Sequence, residues 1–182
     1  MKRAVVKAKL KNKIDFLKTL ADIDLEFGET YYQHDRIFLP RGYKPDQSTP
    51  KAIIRTNVKR TDKAPTYYLI LKRHVKDQDV DIVHRTSISD YSETAYILHQ
   101  LGFELSSEVI KQRQNLTMDG GIEICIDKVD NLGTFVKIES NVGEGEDPKL
   151  IRKDLEKTLE VLDIKSNNVI DNTYANLLSK KK

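Results

Sequence analysis

Alternation between polar and apolar residues, with a period of two, is the dominant pattern along the chain. It is clearest in residues 3–11, RAVVKAKLK, where one face carries Ala4, Val6, Ala8 and Leu10 and the other carries Arg3, Val5, Lys7, Lys9 and Lys11. This period predicts a β-strand whose small apolar face packs on a core. The opposite face is almost entirely cationic, so it points either to water or into an enclosed polar space.

Seven other segments have the period or the composition of strands, which gives about eight strands in total. Their ranges are 26–38, 52–59, 66–73, 82–88, 109–118, 121–127 and 135–140. Turn-forming sequences separate several of them, including DKAP at 62–65, DGG at 119–121 and DNLG at 130–133. Residues 41–50, which contain one glycine and two prolines, are predicted as a loop.

Three helices are predicted from a period near 3.6 residues. Residues 14–20 follow Asn12 as the N-cap, and residues 91–101 follow Ser89 as the N-cap and end at Gly102. Residues 149–162 are amphipathic, and their leucine-rich face is expected to pack on the sheet.

The few parallel crossovers between strands predict an α+β fold, with an eight-stranded antiparallel sheet or β-barrel and flanking helices. A length of 182 residues suits a single domain over 1–182. No apolar run approaches the ~20 residues of a membrane span, and the N-terminus lacks the pattern of a signal peptide. Cys125 is the only cysteine, so no internal disulfide can form, and we expect a cytoplasmic protein.

The net charge is only +3, so the placement of the cations matters more than their number. Basic residues recur within the later strands, at Arg55, Lys72, Arg85, Lys111, Arg113 and Lys137. Each of these residues, taken alone, is explained by a position on an outer strand face that is exposed to solvent. Together, on strands that close into a barrel, they would line an interior that encloses an anion.

Six segments, in their order and spacing, resemble the CYTH family: YYQHDRIF, KAIIRTN, LILKRH, VIKQR, IEICIDKVDNLGTFVKIES and NTYANLL. The most specific of them is D-x-V-x-x-L-G-x-F-V-x-I-E, from Asp127 to Glu139. That family includes class IV adenylyl cyclases, thiamine triphosphatases and inorganic tripolyphosphatases. The resemblance implies an eight-stranded antiparallel barrel that forms a tunnel, where Arg and Lys grip a triphosphate and acidic residues hold Mg²⁺ or Mn²⁺.

The basic half of the family pattern is present. The resemblance assigns phosphate binding to five basic residues: Lys7, Arg55, Lys72, Lys111 and Arg113. Lys9 is added because it shares the cationic face of the first strand, and Arg3, Arg85 and Lys137 are expected as further anion contacts. Such a set suits a polyphosphate, because Arg binds two oxygens at once and Lys acts as a movable point charge.

The acidic half of the pattern is largely replaced. The glutamates of the E-x-E-x-K signature fall at Arg3 and Val5, and the first glutamate of the late strand falls at Lys137, which leaves Asp127 and Glu139 as the expected metal ligands. An inward cation 4 Å from a metal ion costs about 4 kcal/mol per unit charge at an effective dielectric near 20. Binding of Mg²⁺ or Mn²⁺ is therefore expected to be weakened, or absent.

Three functions are consistent with these residues. The first is a tunnel that binds a triphosphate-containing small molecule, such as ATP, thiamine triphosphate or tripolyphosphate, with its metal-dependent activity weakened or lost. The second is an active triphosphatase or adenylyl cyclase. In that case the strand register would differ from the one assumed, and Glu29, Asp81 or Glu123 would restore the metal site. The third, a nucleic-acid-binding barrel, is disfavoured by the low net charge. No membrane partner is expected, and a homodimer is compatible with the sequence.

Overall fold

The computed structural model describes residues 1–43 and 48–181, and within them eight antiparallel strands close into a barrel. The strands are β1 (Lys2–Lys9), β2 (Tyr31–Pro40), β3 (Lys51–Val58), β4 (Thr66–Val75), β5 (Val80–Ile88), β6 (Phe103–Thr117), β7 (Glu123–Val129) and β8 (Gly133–Val142). Around the barrel they follow the order β1-β5-β4-β3-β2-β6-β7-β8, and β8 pairs with β1. The prediction of an α+β fold built on an eight-stranded antiparallel barrel is confirmed.

Four α-helices flank the barrel in the part of the chain that the structure describes. They are α1 (Lys13–Ala21), α2 (Tyr91–Gln100), α3 (Pro148–Val161) and α4 (Tyr174–Ser179). The sequence did not predict α4, because six residues are too few to display a helical period. None of the helices in these ranges is both long enough and apolar enough to cross a membrane.

The caps of the first two helices differ in how well the sequence predicted them. The side chain of Asn12 accepts hydrogen bonds at the start of α1, as expected. The N-cap of α2 is Asp90, however, and the prediction of Ser89 is wrong. The Asp90 carboxylate accepts hydrogen bonds from the backbone N–H groups of Ser92 at 2.7 Å and Glu93 at 2.9 Å. A carboxylate is favoured there because it also interacts with the positive end of the helix dipole.

The bounds of two strands differ from the prediction by five residues or more. β2 begins five residues later than expected, and β6 begins six residues earlier, at Phe103. The polar sequence ELSSE was not predicted as strand, but it pairs with β2 through a β-bulge, where the register shifts between Ile37 and Phe38. Of the predicted loop at 41–50, residues 44–47 lie outside the described residues.

The main apolar core lies outside the barrel wall, between the strands and the helices. The apolar face of β1, formed by Ala4, Val6 and Ala8, is fully buried in one cluster with Phe16 and Leu20 of α1 and with Leu155 and Leu159 of α3. A second cluster joins Ile54 of β3 to Leu98 of α2. Because successive strand residues point to opposite faces, the polar faces of these strands point into the barrel.

Removal of a core side chain of α3 tests this arrangement. Leu155 is 1% exposed, so Leu155→Ala leaves a cavity and is expected to lower the free energy of unfolding by about 2–5 kcal/mol. Leu150→Ala is the matched control in the same helix, since Leu150 is 62% exposed, and it should change stability by less than about 0.5 kcal/mol. Urea denaturation of both variants measures the difference. Equal effects would contradict the packing of α3 on the barrel.

Candidate functional site

The interior of the barrel contains a cavity of about 510 Å³. Its walls come from strands on all sides of the barrel except β7, from Arg152 of α3, and from the segment 170–176 near the C-terminus. A volume of this size lies within the range of about 300–1,000 Å³ that is typical of small-molecule sites.

Seven of the nine basic residues selected from the sequence line this cavity. We call them the tunnel cations: Arg3, Lys7, Arg55, Lys72, Lys111, Arg113 and Lys137. They come from β1, β3, β4, β6 and β8, and only the closed barrel brings them together. The cationic face of β1 therefore points inward. These seven cations therefore do not form the open cationic sheet surface on which the nucleic-acid alternative rested.

Lys9 and Arg85, the other two predicted anion contacts, do not line the cavity. Lys9 is the last residue of β1 and is exposed at the end of the barrel. Arg85 is also exposed, and its guanidinium lies over the ring of Tyr68, 3.6 Å from the centroid. β5 pairs with β1 only at Ile82 and Asp81, so Arg85 lies beyond the closed part of the barrel wall.

Two buried carboxylates hold the deepest of the tunnel cations. Asp127, which has no exposed surface, accepts two hydrogen bonds of 2.6 Å from Arg113, its cross-strand partner on β6. The Tyr174 hydroxyl of α4 donates a further hydrogen bond of 2.9 Å to Asp127. Burial would raise the pKa of Asp127, but the charges of Arg113 and Lys111 hold that pKa well below its usual range.

Asp35 of β2 forms the second buried pair, with Arg55 of β3, through hydrogen bonds of 2.6 and 2.8 Å. Burial opposes ionisation of Asp35, but Arg55 and Lys111 keep its pKa well below the usual value. Lys111 connects the two pairs, with its Nζ atom 3.8 Å from Asp35 and 3.9 Å from Asp127. Asp35 was not predicted as a site residue, although its alternation with Gln33 and Ile37 indicates that it shares their face of the strand.

Glu139 of β8 lies between Lys137 and Arg3, two basic residues at positions where the CYTH pattern has glutamate. Its carboxylate contacts Lys137 at 2.6 Å and Arg3 at 3.2 Å. Burial would raise its pKa, yet Lys137 and Arg3 lower the pKa of Glu139 well below the ordinary value. In the family pattern a metal would face these positions, whereas here one carboxylate is shared by two basic side chains.

Asp81 of β5 makes the remaining contact to a tunnel cation. Its carboxylate lies 2.6 Å from Lys72 and 3.2 Å from His74. Although burial acts in the opposite direction, Lys72 and His74 lower the pKa of Asp81. In total, four carboxylates contact six of the seven tunnel cations: Asp35, Asp81, Asp127 and Glu139.

Lys7 is the tunnel cation for which the described part of the chain provides no salt bridge. Its ammonium group donates a hydrogen bond of 2.6 Å to the backbone carbonyl of Asn172 and lies 4.5 Å from the ring centroid of Tyr174. Burial, followed by the charges of Lys72 and Lys137, lowers the pKa of Lys7 to about 7. The centre of the tunnel therefore holds a lysine that has no carboxylate partner among the described residues and releases its proton near neutral pH.

The two predicted metal ligands do not lie together. Asp127 pairs with Phe135 on β8, whereas Glu139 is four residues further along that strand, which corresponds to roughly 13 Å. Within the described residues, the group that could hold a metal is Glu123, Cys125 and Glu139, whose ligand atoms lie within 4.8 Å of one another.

This group fits Mg²⁺ or Mn²⁺ poorly. Burial raises the pKa of the Cys125 thiol to about 11, so the thiol keeps its proton at neutral pH. Mg²⁺ requires oxygen ligands in a near-octahedral arrangement, and Glu139 is already engaged by two cations. Of the alternative ligands considered from the sequence, Asp81 contacts Lys72, and Glu29 is exposed and accepts a hydrogen bond from Thr61.

The family model for the CYTH domain matches residues 1–174, and the chain belongs to the CYTH domain family. The barrel order, the inward cations and the family match agree over almost the whole chain. No curated protein matches the chain.

Three solved structures illustrate how far the fold is shared. The PH1819 protein of Pyrococcus horikoshii OT3 is 21% identical, with a TM-score of 0.84 and coverage of 99% of both chains. A candidate adenylate cyclase of Vibrio parahaemolyticus is 18% identical, with a TM-score of 0.80 and 97% coverage of both chains. The Hippeastrum protein HpAC1, a candidate adenylyl cyclase described as having a dominant triphosphatase activity, is 14% identical, with a TM-score of 0.64 and coverage of 100% of this chain and 97% of that one. At these identities the likeness concerns the fold.

Loss of the Asp127 charge tests the buried network. Asp127→Asn leaves Arg113 buried without its counter-charge, so the free energy of unfolding is expected to fall by about 3–5 kcal/mol. Tyr174→Phe is the matched control, because it removes one hydrogen bond to the same carboxylate and should cost about 1 kcal/mol. Chemical denaturation measures both values. A loss below 1 kcal/mol for Asp127→Asn would contradict the network.

The pH dependence of stability tests the state of Lys7. The unfolded chain keeps this proton up to its ordinary pKa of 10.5, whereas the folded protein releases it near pH 7, so stability is expected to rise with pH between these values. Burial and Arg113 also lower the pKa of Lys111, to about 8, and this residue adds to the rise above pH 8. In Lys7→Met the rise should begin about one pH unit higher and be shallower, while Lys9→Met should behave like the wild type. Identical profiles for Lys7→Met and the wild type in denaturation experiments would contradict the lowered pKa.

Proposed function

We propose that the tunnel binds the triphosphate group of a small molecule, such as ATP, thiamine triphosphate or tripolyphosphate, and that it does so without a divalent metal. The observation that carries this proposal is the excess of basic side chains over carboxylates, since four carboxylates contact six of the seven tunnel cations and Lys7 has no salt bridge within the described residues. A polyanion in the cavity would supply the missing negative charge.

The cations that retain binding capacity are those on β1 and β8. Arg55 and Arg113 already make paired hydrogen bonds with carboxylates. In contrast, Lys7 has only a carbonyl and an aromatic ring as partners, and Arg3 and Lys137 share Glu139. Phosphate oxygens at Lys7 would restore its charged form, because a nearby anion raises a lysine pKa. Binding is therefore expected to be accompanied by proton uptake above pH 7.

Metal-dependent chemistry is weakened or lost in this proposal. In phosphoryl transfer a metal bridges phosphate oxygens and neutralises the charge that develops on them. Arg3 and Lys137 can neutralise phosphate, but they cannot lower the pKa of a coordinated water as a metal does. They would also oppose a metal ion by about 4 kcal/mol per unit charge at 4 Å.

A second candidate is an active, metal-dependent triphosphatase or adenylyl cyclase. The proximity of Glu123 to Glu139 supports it, because a bound triphosphate could complete the coordination of an ion there. The activities named for the Vibrio and Hippeastrum proteins are consistent with this candidate. Release of phosphate, pyrophosphate or cyclic AMP in the presence of Mg²⁺ or Mn²⁺ would favour it over the first.

Calorimetric titration with tripolyphosphate separates the two candidates. Binding in EDTA is expected to be at least as tight as binding in Mg²⁺, because free Mg²⁺ competes for the phosphate. Lys137→Gln should weaken binding by about tenfold or more through the loss of one charged contact, and Lys9→Gln, outside the cavity, should leave it unchanged. A strict requirement for Mg²⁺ would reject metal-free binding.

The reciprocal variant returns glutamate to two signature positions. In Arg3→Glu with Lys137→Glu, metal-free binding should be lost and binding that depends on Mg²⁺ should appear. Circular dichroism and thermal unfolding show whether the double variant remains folded. If this variant still bound tripolyphosphate equally well in EDTA, the assignment of Arg3 and Lys137 to the phosphates would be wrong.

A further inference from the structure

Lys7 differs from the other tunnel cations in its partners. Each of the other six contacts a carboxylate. Among the described residues, the Lys7 amine has instead the main-chain carbonyl of Asn172 and the ring of Tyr174 as its partners. The side chain of Lys7 is only partly buried, and it lines the cavity. A small molecule that enters the tunnel can therefore reach the Lys7 nitrogen.

Other lysines bring positive charge close to Lys7 from three further strands. Lys137 of β8 is its direct cross-strand partner. Lys111 of β6 lies against the same aromatic ring, because the Nζ atoms of Lys7 and Lys111 are 4.5 and 5.4 Å from the ring centroid of Tyr174. The charge of Lys72 of β4 also acts on Lys7. An ammonium group in such surroundings is destabilised, so the neutral amine with its free lone pair is favoured.

Lys7 therefore presents an unprotonated amine at neutral pH. Since its pKa is lowered to about 7, about half of the molecules carry the neutral amine at that pH, against fewer than about one in a thousand for an ordinary lysine. Asp127 acts in the opposite direction, but Arg113 already engages both of its carboxylate oxygens. A lysine that is desolvated and close to another cation is an activated nucleophile.

From this geometry we infer that Lys7 is a carbamylation site, at which carbon dioxide adds reversibly to the side-chain nitrogen while the tunnel is free of other anions. The lone pair of Nζ forms a bond to the carbon of carbon dioxide, and the electrons of one C–O π bond move to oxygen. Nζ then releases one of its protons to water. A neutral amine and carbon dioxide thus give a carbamate and a proton, and the reaction needs no oxidant or reductant.

The product suits this position in the tunnel. A carbamate carries a negative charge, and the charges of Lys137, Lys111 and Lys72 would stabilise it. Its nitrogen keeps one hydrogen, so the hydrogen bond to the Asn172 carbonyl can remain. Carbon dioxide is uncharged and small compared with a cavity of about 510 Å³. The inference goes beyond the proposed function, because it requires the tunnel cations but neither a phosphate nor a metal.

Chemical trapping in the wild-type protein locates the carbamate. The protein is equilibrated near pH 7 with isotope-labelled bicarbonate and carbon dioxide, and triethyloxonium ion then converts carbamates into stable ethyl esters. Peptide mass spectrometry is expected to find the label on Lys7 at least about tenfold more often than on Lys9, which is exposed at the end of β1 and outside the cavity. The α-amino group of Met1 can also react, and peptide fragmentation distinguishes it from Lys7.

Variants test whether the surrounding cations cause the reactivity. The carbon NMR spectrum of the wild-type protein in labelled bicarbonate should contain a carbamate signal that Lys7→Met removes and Lys9→Met retains. Lys137→Gln removes the cation opposite Lys7 and should lower the occupancy of the carbamate severalfold at the same concentration of carbon dioxide. Lys137→Arg keeps the charge and should restore most of the occupancy. Thermal unfolding shows whether each variant is folded.

Two results would overturn the inference. One is trapping that modifies Lys7 no more often than Lys9 in the wild-type protein, a comparison that does not depend on the folding of any variant. The other is a set of carbamate signals that is the same in Lys7→Met as in the wild type. Either result leaves the proposed function standing, because triphosphate binding is measured separately. Conversely, a tunnel that failed to bind tripolyphosphate would still be expected to form the carbamate.

Discussion

The ion pair between Asp127 and Arg113 is the interaction on which the interior of the barrel depends. Both side chains are buried, they are cross-strand neighbours on β7 and β6, and Tyr174 of α4 completes the hydrogen bonding of the carboxylate. Isolated charges cannot remain ionised at such depth, because desolvation favours their neutral forms. Together with Asp35 and Arg55, this pair lets a β-barrel keep a charged interior while its apolar core lies outside, under the helices.

The same pairing divides the basic residues of the tunnel into two groups, which differ in their capacity to bind an added anion. The arginines that make two hydrogen bonds to carboxylates act mainly as a scaffold, and they position Lys111 between them. Lys7, Lys137 and Arg3 are less well neutralised, because Lys7 has no carboxylate partner within the described residues and the other two share Glu139. In the proposed function, these three side chains balance the charge of the phosphates in place of a metal ion.

Much of this arrangement follows from the sequence, and the part that does not has a physical cause. Alternation along β1 and β6 gave the inward set Arg3, Lys7, Lys111 and Arg113, because strand period alone decides which residues share a face. Alternation does not show how strands are staggered or where they end. Lys9 and Arg85 were therefore expected in the cavity, although Lys9 is the exposed last residue of β1 and Arg85 lies beyond the part of β5 that pairs with β1. The partners of the cations are non-local. Asp35 belongs with Arg55 only because β2 and β3 pair in one register, and the contacts of Tyr174 require the C-terminal segment to return to the barrel.

The hydrogen bond from Lys7 to the Asn172 carbonyl has an implication for mutagenesis. The acceptor is a main-chain oxygen, so replacing the residue at position 172 leaves it in place, and a scan of side chains would overlook it. The main-chain bond between Ile170 and Lys7 fixes the path of the same segment. Protein engineering that shortens, fuses or reroutes the chain after position 168 would therefore alter the central lysine of the tunnel, even where every charged side chain is retained.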